Sequence, residues 1–240
     1  MATEPLVASS PDRGAGALRR RLRGPASARR IAVLLHGRDG SADSDHMRLL
    51  ADAYIGRGWS VLAPDLAHSR ATPGSGDPER FSMTGHVRDA RAAIGWVQAR
   101  GPERLALAGH SIGAYAAAEL AEEAQVDHLI AVSPVLSGAA LLAARRAMGP
   151  DAVAALAREA PEMRREMEAL DAAPALARCL APVAVMTGAR DALTPPCDAL
   201  AWFRAARVPR FFSVLPGESH CPTGPVYRRA IEAALDALEA

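Results

Sequence analysis

Three residues of this chain combine the right side-chain type with a local setting suited to acyl-transfer chemistry. Ser111 stands at the centre of Gly109-His110-Ser111-Ile112-Gly113. An alternating apolar run with Leu105 and Leu107 precedes it, and strong helix formers follow from Ile112 to Glu123. That order predicts a strand, a sharp turn and a helix with the serine at the bend, which is the Gly-x-Ser-x-Gly nucleophile-elbow pattern. A serine at the tip of such a turn takes strained dihedrals that lift its hydroxyl clear of the sheet. The flanking glycines leave room where a Cβ would collide, and Ala114, Ala116 and Ala117 let the helix pack close to the sheet. Taken alone, the five residues also fit a plain strand-to-helix turn.

A serine hydroxyl at neutral pH is a poor nucleophile, so it needs a base, and the base needs an acid to orient it. His220, in Pro216-Gly-Glu-Ser-His-Cys-Pro222, follows the last predicted strand and precedes the last helix. Asp191, in Gly188-Ala-Arg-Asp-Ala-Leu-Thr-Pro-Pro196, also comes just after a strand. Both therefore belong to the carboxyl edge of a parallel sheet, the edge where open α/β sheets bind ligands. The chain order Ser111, Asp191, His220 is the one such hydrolases use. Glu218 and Asp198 compete as orienting acids, but Glu218 is too near His220 in sequence to reach its ring comfortably. His36 and His110, beside glycines, are expected to shape loops, and His46, His68, His86 and His128 to be surface or core residues.

A tetrahedral intermediate needs two donors aimed at its oxyanion. One expected donor is the backbone N–H of Ile112, directly after the serine. The other is the N–H of Arg38, in the loop His36-Gly37-Arg38-Asp39-Gly40. A Gly-rich turn with no such role is the alternative reading of that loop. A weaker reading gives the Arg38 side chain an anionic group of the substrate to hold.

The remaining elements follow from apolar patterning. Residues 30–36 are a continuous apolar run of strand length, as expected of a strand buried on both faces, 59–65 read as the next strand, and 128–134, 182–191 and 210–216 as further buried strands. Helices are predicted over about 45–57, 84–100, 197–206 and 226–238. A polar loop rich in Gly, Pro and Ser runs from His68 to about Phe81. This alternation predicts an α/β protein with a doubly wound, mostly parallel sheet. Residues 1–16 read as a flexible tail, 17–23 as a short amphipathic edge strand, and 17–240 as one domain. Residues 137–178 contain no strand, only helical patches broken at Gly149-Pro150, Pro161 and Pro174. In the patch after Pro161, Met163, Met167 and Leu170 share a helical face. They read as a core-facing stripe and, in a small helical lid, as soft residues lining an acyl pocket; both can hold, because a lid must pack on something.

Composition narrows the function classes. Half of the 240 residues are hydrophobic and 23% are charged, enough apolar residues for a large core and too few charges for global disorder. The formal net charge of +1 comes from scattered arginines, so no nucleic-acid footprint is expected. The cluster Arg19-Arg20-Arg21 with Arg23 reads as a solvated strand edge. Three cysteines, Cys179, Cys197 and Cys221, make an odd number without metal-like spacing. The amino terminus has no signal-peptide or anchor pattern and no run is long enough to span a bilayer, so a cytoplasmic protein is expected. Cys221, next to the candidate base, is either an incidental thiol or a point of oxidative sensitivity.

With these motifs in view, the chain from about Ala17 onward resembles the α/β-hydrolase superfamily. The likeness rests on Leu-Leu-His-Gly-Arg-Asp-Gly, Ala-Pro-Asp-Leu, Gly-His-Ser-Ile-Gly-Ala, Thr-Gly-Ala-Arg-Asp-Ala-Leu-Thr-Pro and Gly-Glu-Ser-His. The resemblance implies an α/β-hydrolase fold with 137–178 where the family inserts a helical cap. Ser111 is neither the aspartate of the dehalogenase and epoxide-hydrolase branches nor the cysteine of dienelactone hydrolases. The loop after Asp65 lacks the Gly-x-Gly of related esterases, and pocket shape is expected to depend on the lid and on residues 66–81. The function expected is a serine esterase acting on a small-molecule ester or thioester with a small to medium, fairly uncharged acyl group. It needs no metal and no organic cofactor. The same residues would also serve acyl transfer, perhydrolysis, C–C cleavage or a lyase step, and a non-catalytic binding module of this fold is the third possibility.

Overall fold

The computed structural model describes residues 5–6, 18–25 and 29–240. In chain order the strands are β1 (Pro5–Leu6), β2 (Leu18–Arg23), β3 (Arg30–Leu35), β4 (Ser60–Asp65), β5 (Arg104–His110), β6 (His128–Val132), β7 (Val183–Gly188) and β8 (Pro209–Leu215). They form one sheet in the order β1-β2-β4-β3-β5-β6-β7-β8, with β3 to β8 parallel and β1 and β2 antiparallel at one end. The predicted edge strand at 17–23 is therefore present as β2, although β1 pairs on its outer side. The rest of the expected tail, residues 1–16, lies outside the described residues, as do the side chains of Arg19, Arg20 and Arg21. Arg23 pairs with Asp52 at 3.0 Å.

The apolar runs are continuous because the central strands are buried on both faces. In β3, Ile31, Val33 and Leu35 join one hydrophobic cluster while Ala32 and Leu34 join the other. On the first face lie α2 (Met83–Gln98), α3 (Ile112–Ala124) and α8 (Pro196–Ala205). On the second lie α1 (Asp45–Gly56) and α9 (Pro225–Glu239). Helix α9 shows how sequence fixes this: Tyr227, Ala230, Ile231, Ala234, Leu235 and Leu238 are its buried residues, a single stripe at helical spacing. Pro225 starts the helix, where its missing N–H costs nothing.

The chain reverses direction across the sheet after β4. Strand β3 has β4 on one side and β5 on the other, so the crevice beyond the carboxyl ends of β3 and β5 is the switch point where such sheets place ligands. Those two ends carry the His36–Gly40 loop and Ser111.

Residues 137–178 fold into α4 (Gly138–Ala147), α5 (Pro150–Glu159), α6 (Pro161–Glu166), a 3-10 turn at Met167–Ala169 and α7 (Ala173–Arg178). A bridge between Ser137 and Asp171 ties the segment at its base. These helices do not act alike. Helix α7 packs on α3 and α8 as part of the sheet-covering layer, whereas α4 and α6 supply walls of the cavity described below.

Candidate active site

The turn at Ser111 has the backbone that the pattern requires. Ser111 adopts φ 55° and ψ −118°, a region that side-chain-bearing residues rarely occupy. A Cβ on Gly109 would lie 2.4 Å from the Gly113 backbone, and one on Gly113 would lie 2.0 Å from the Leu35 carbonyl oxygen. Both glycines are thus forced by the closeness of β5, α3 and β3. The Ser111 carbonyl accepts from the N–H groups of Ala114 and Tyr115, which starts α3 directly at the serine. As the first residue of that helix, Ile112 has no intrahelical acceptor for its own N–H.

His220 and Asp191 meet across the sheet edge. His220 Nδ1 and Asp191 Oδ2 are 2.8 Å apart, and the Asp191 side chain is fully buried. Asp191 Oδ1 accepts two backbone N–H groups, from Leu193 and Thr194, each at 2.9 Å. The Thr194 hydroxyl lies 2.8 Å from Asp191 Oδ2 and 3.2 Å from His220 Nδ1, so it braces the pair. Burial by itself would raise the Asp191 pKa. Hydrogen bonds from His220 and Thr194, with the charge of the imidazole, outweigh it and hold the carboxyl below its ordinary value. Of the competing acids, Glu218 is occupied elsewhere, accepting the N–H groups of Thr223 and Gly224 at 3.1 and 2.9 Å. Its role is to fold the loop that carries His220.

Ser111, His220, Ile112 and Arg38 all line one cavity of about 230 Å³. Leu141, Met163 and Leu193 give it an apolar wall, and Arg145, His46, His110 and Cys221 complete much of the rest. Among the described residues no hydrogen bond joins Ser111 Oγ to the His220 ring; the two are brought together as neighbours across the cavity. Neither Arg38 nor Ile112 spends its backbone N–H on another backbone group there. Met163 lines the cavity as the lid reading expected. Met167 does not: it is fully buried beneath α4, where a Cβ on Gly138 would collide with its carbonyl oxygen at 1.7 Å. Both methionines are thus core residues, and Met163 serves the pocket reading as well. The loop at residues 66–81, expected to shape the pocket, contributes no lining residue. His68 Nδ1 meets the Asp77 carbonyl at 2.8 Å and closes that loop on itself.

His36 and His110 shape loops, as their glycine neighbours led us to expect, and the structure shows which loops they hold. His36 Nε2 accepts the Leu66 N–H at 2.8 Å, which leaves Nδ1 to donate to the Gly37 carbonyl at 2.7 Å; the residue clamps the β3 loop to the end of β4. His110 Nε2 donates to the His220 carbonyl at 2.9 Å, so the residue before the serine holds the loop of the candidate base. His46 packs at a tilt of 54° against His110 with ring centroids 4.2 Å apart, and burial lowers its pKa to about 4. One atom each from His46, His110 and Cys221 lie within 4.8 Å of one another, a donor set of the soft kind that suits zinc. Ligation through His110 Nε2 would break its bond to His220.

A strained serine at a strand-to-helix turn, facing a His–Asp pair on one sheet edge, defines a class before any comparison is made. The sequence matches the profile of the alpha/beta hydrolase family over residues 32–236, and the chain belongs to that family. Two proteins of Mycobacterium tuberculosis, the uncharacterized Rv2307c (strain H37Rv) and MT2364 (strain CDC 1551), are each 32% identical to it over 189 residues, 76% of this chain and 60% of theirs. The chain thus covers under two thirds of the length of these relatives. Among solved structures, Est1E from Butyrivibrio proteoclasticus with ferulic acid bound superposes with a TM-score of 0.75 at 16% identity, covering 93% of this chain and 96% of that one. A serine hydrolase homologue from Coxiella burnetii gives 0.67 at 20% identity, covering 98% of both. XC6422 from Xanthomonas campestris, a serine hydrolase without a lid, gives 0.63 at 19% identity over 99% of this chain and 91% of its own. At these identities the structures share the fold. Among the described residues no helix is long and apolar enough to cross a membrane.

Proposed function

We propose that the protein is a serine hydrolase that cleaves a carboxylic ester or thioester of a small to medium acyl group. One observation carries the reading: the strained Ser111 shares a cavity with His220, whose Nδ1 is 2.8 Å from the buried Asp191 carboxylate. In this reaction Ser111 Oγ attacks the substrate carbonyl carbon while His220 Nε2 takes the hydroxyl proton. Asp191 keeps the proton-bearing Nδ1 fixed and stabilises the imidazolium as it forms. The N–H groups of Arg38 and Ile112 hold the oxyanion. Collapse of the tetrahedral adduct breaks the bond to the alcohol or thiol, which leaves with the proton from His220. Water, deprotonated by the same imidazole, then releases the acid and restores the serine.

Support also comes from the neighbourhood of esterases and serine hydrolases in which the fold lies, and from the cap helices α4 and α6 that close an apolar wall over the serine. The test is labelling with a fluorophosphonate probe followed by a chromogenic ester panel of increasing acyl length, on wild type and Ser111→Ala. Labelling and turnover that both vanish in Ser111→Ala, with a chain-length optimum, are the expected result. Near-full activity in Ser111→Ala would overturn the mechanism. Labelling without ester turnover would transfer the same residues to non-hydrolytic acyl chemistry.

A further inference from the structure

The cavity carries a charge imbalance that ester hydrolysis does not require. Arg38 and Arg145 both line it, and Arg70 stands close by. Two carboxylates face these three guanidiniums. Arg38 Nη2 is 2.8 Å from Asp39 Oδ2 and 3.0 Å from Glu159 Oε2, and Arg70 reaches the same two acids at 3.7 and 3.9 Å. Among the described residues Arg145 has no carboxylate within ion-pair distance; its Nη1 makes only a long bond, 3.4 Å, to the Ala152 carbonyl. Arg145 Nε and Arg38 Nη1 are both shut off from solvent without an acceptor.

Guanidinium N–H groups removed from water and left unpaired are costly, and a charge so placed is expected to have a counter-ion. Burial and the nearby Arg38 both work against the Arg145 cation, and Glu159 and Asp39 offset this only at longer range. Arg145 sits one helical turn beyond Leu141 on α4, on the same side, so apolar wall and cation are adjacent. Ser111 and His220 line the same cavity.

We propose that the ester bound under the cap carries a carboxylate, gripped by Arg145 with the spare N–H of Arg38, so that the substrates are half-esters of dicarboxylic acids or acylated hydroxy acids. This rests on the hydrolase reading of Ser111 and replaces the expectation of an uncharged acyl group. A carboxylate fits better than a phosphate ester because the excess is a single positive charge and the planar guanidinium matches a planar two-oxygen anion.

The test compares monomethyl glutarate, with the carboxylate on the acyl side, and acetyl glycolate, with it on the alcohol side, each against the ester in which that carboxylate is a primary amide. Rates are followed by acid release, with wild type, Arg145→Gln and Arg145→Lys. The expected wild-type result is at least about a tenfold preference in kcat/KM for one anionic ester over its amide, expressed mainly in KM. That ratio falls towards one in Arg145→Gln and is partly kept in Arg145→Lys. Equal rates for both ester–amide pairs in wild type, or a preference that survives Arg145→Gln, would overturn the inference and leave the hydrolase reading standing. Glutarate and glutaramide are tested in parallel for their effect on thermal stability. Stabilisation by glutarate alone, lost in Arg145→Gln, supports the anion site even if no ester is turned over, an outcome that would count against the hydrolase reading instead. Equal effects of the two compounds with no turnover would remove both.

Discussion

Ser111 stores strain in the fold, and that strain makes an unusual stability prediction. At φ 55° and ψ −118° a Cβ-bearing residue costs on the order of 1–3 kcal/mol. Glycine tolerates such dihedrals, so Ser111→Gly should raise Tm while abolishing turnover; a lower Tm would show that the turn is not strained as described. The neighbouring glycines behave oppositely. Gly113→Ala drives a methyl group into the Leu35 carbonyl, and a loss of roughly 4 kcal/mol or more in denaturant unfolding is expected. Thr194 touches the acid rather than the substrate. Thr194→Val should cut kcat/KM by about tenfold or more and move the pH–rate profile, with much of both restored in Thr194→Ser. A Val variant with a normal profile would make the hydroxyl merely structural.

Among the elements, the proposed cap is the weak point. Helix α5 buries only Leu156, whereas α3 buries most of its length between the sheet and α2. Local stability follows buried contact, so amide exchange should be much faster in α5 than in α3 or β5. Exchange at equal rates would contradict a loosely held cap. Arg38, whose N–H we propose holds the oxyanion, ties α5 to the sheet edge, because its guanidinium meets Glu159 at the end of that helix. Glu159 is over one third exposed, so the ion pair contributes at most about 1 kcal/mol to stability. Its value is positional. Glu159→Gln should leave Tm within a few degrees yet lower kcat/KM several-fold, and high salt should produce a similar loss in wild type. Loss of Tm without loss of rate would reverse that assignment.

For the whole molecule, buried histidines set the response to acid. His36, His46, His86, His110 and His128 are all buried, and desolvation is the first cause that lowers each pKa, to about 4 for His46 and His128 and about 3 for His86. Unfolded, each would take up a proton near pH 6.5. Their contribution to stability is therefore complete above about pH 6.5 and is lost as pH falls from there through the folded values. Up to roughly 7 kcal/mol per pH unit is at stake if all five titrate together, against a total of about 5–15 kcal/mol. Asp191, also depressed, adds a loss that begins only below about pH 4. The urea midpoint should drop steeply between pH 6.5 and 5. A flat midpoint over that range would mean that these histidines are protonated in the folded state.

Much of this was legible in the chain itself because it is local. Doubly buried strands must be apolar along their whole length, an elbow must have glycines where backbones touch, and a strand-end loop must be polar. The alternation of strands and helices, the turn at Ser111, and the strand-end loops of Asp191 and His220 all followed from such rules, whereas the order of strands in the sheet did not. What only the tertiary structure decided depends on residues distant in sequence. Met163 and Met167 share one periodicity and both are buried, yet only Met163 reaches the cavity while Met167 is covered by α4. Loop 66–81 closes on itself because His68 finds the Asp77 carbonyl. His36 and His110 are loop-shaping residues by sequence, but which loops they clamp is decided where strands far apart in the chain end side by side. Arg145 is an ordinary helix residue by sequence; the fold makes it a partly buried cation lining the cavity that holds Ser111, since only packing determines which charges lose their water and which find partners.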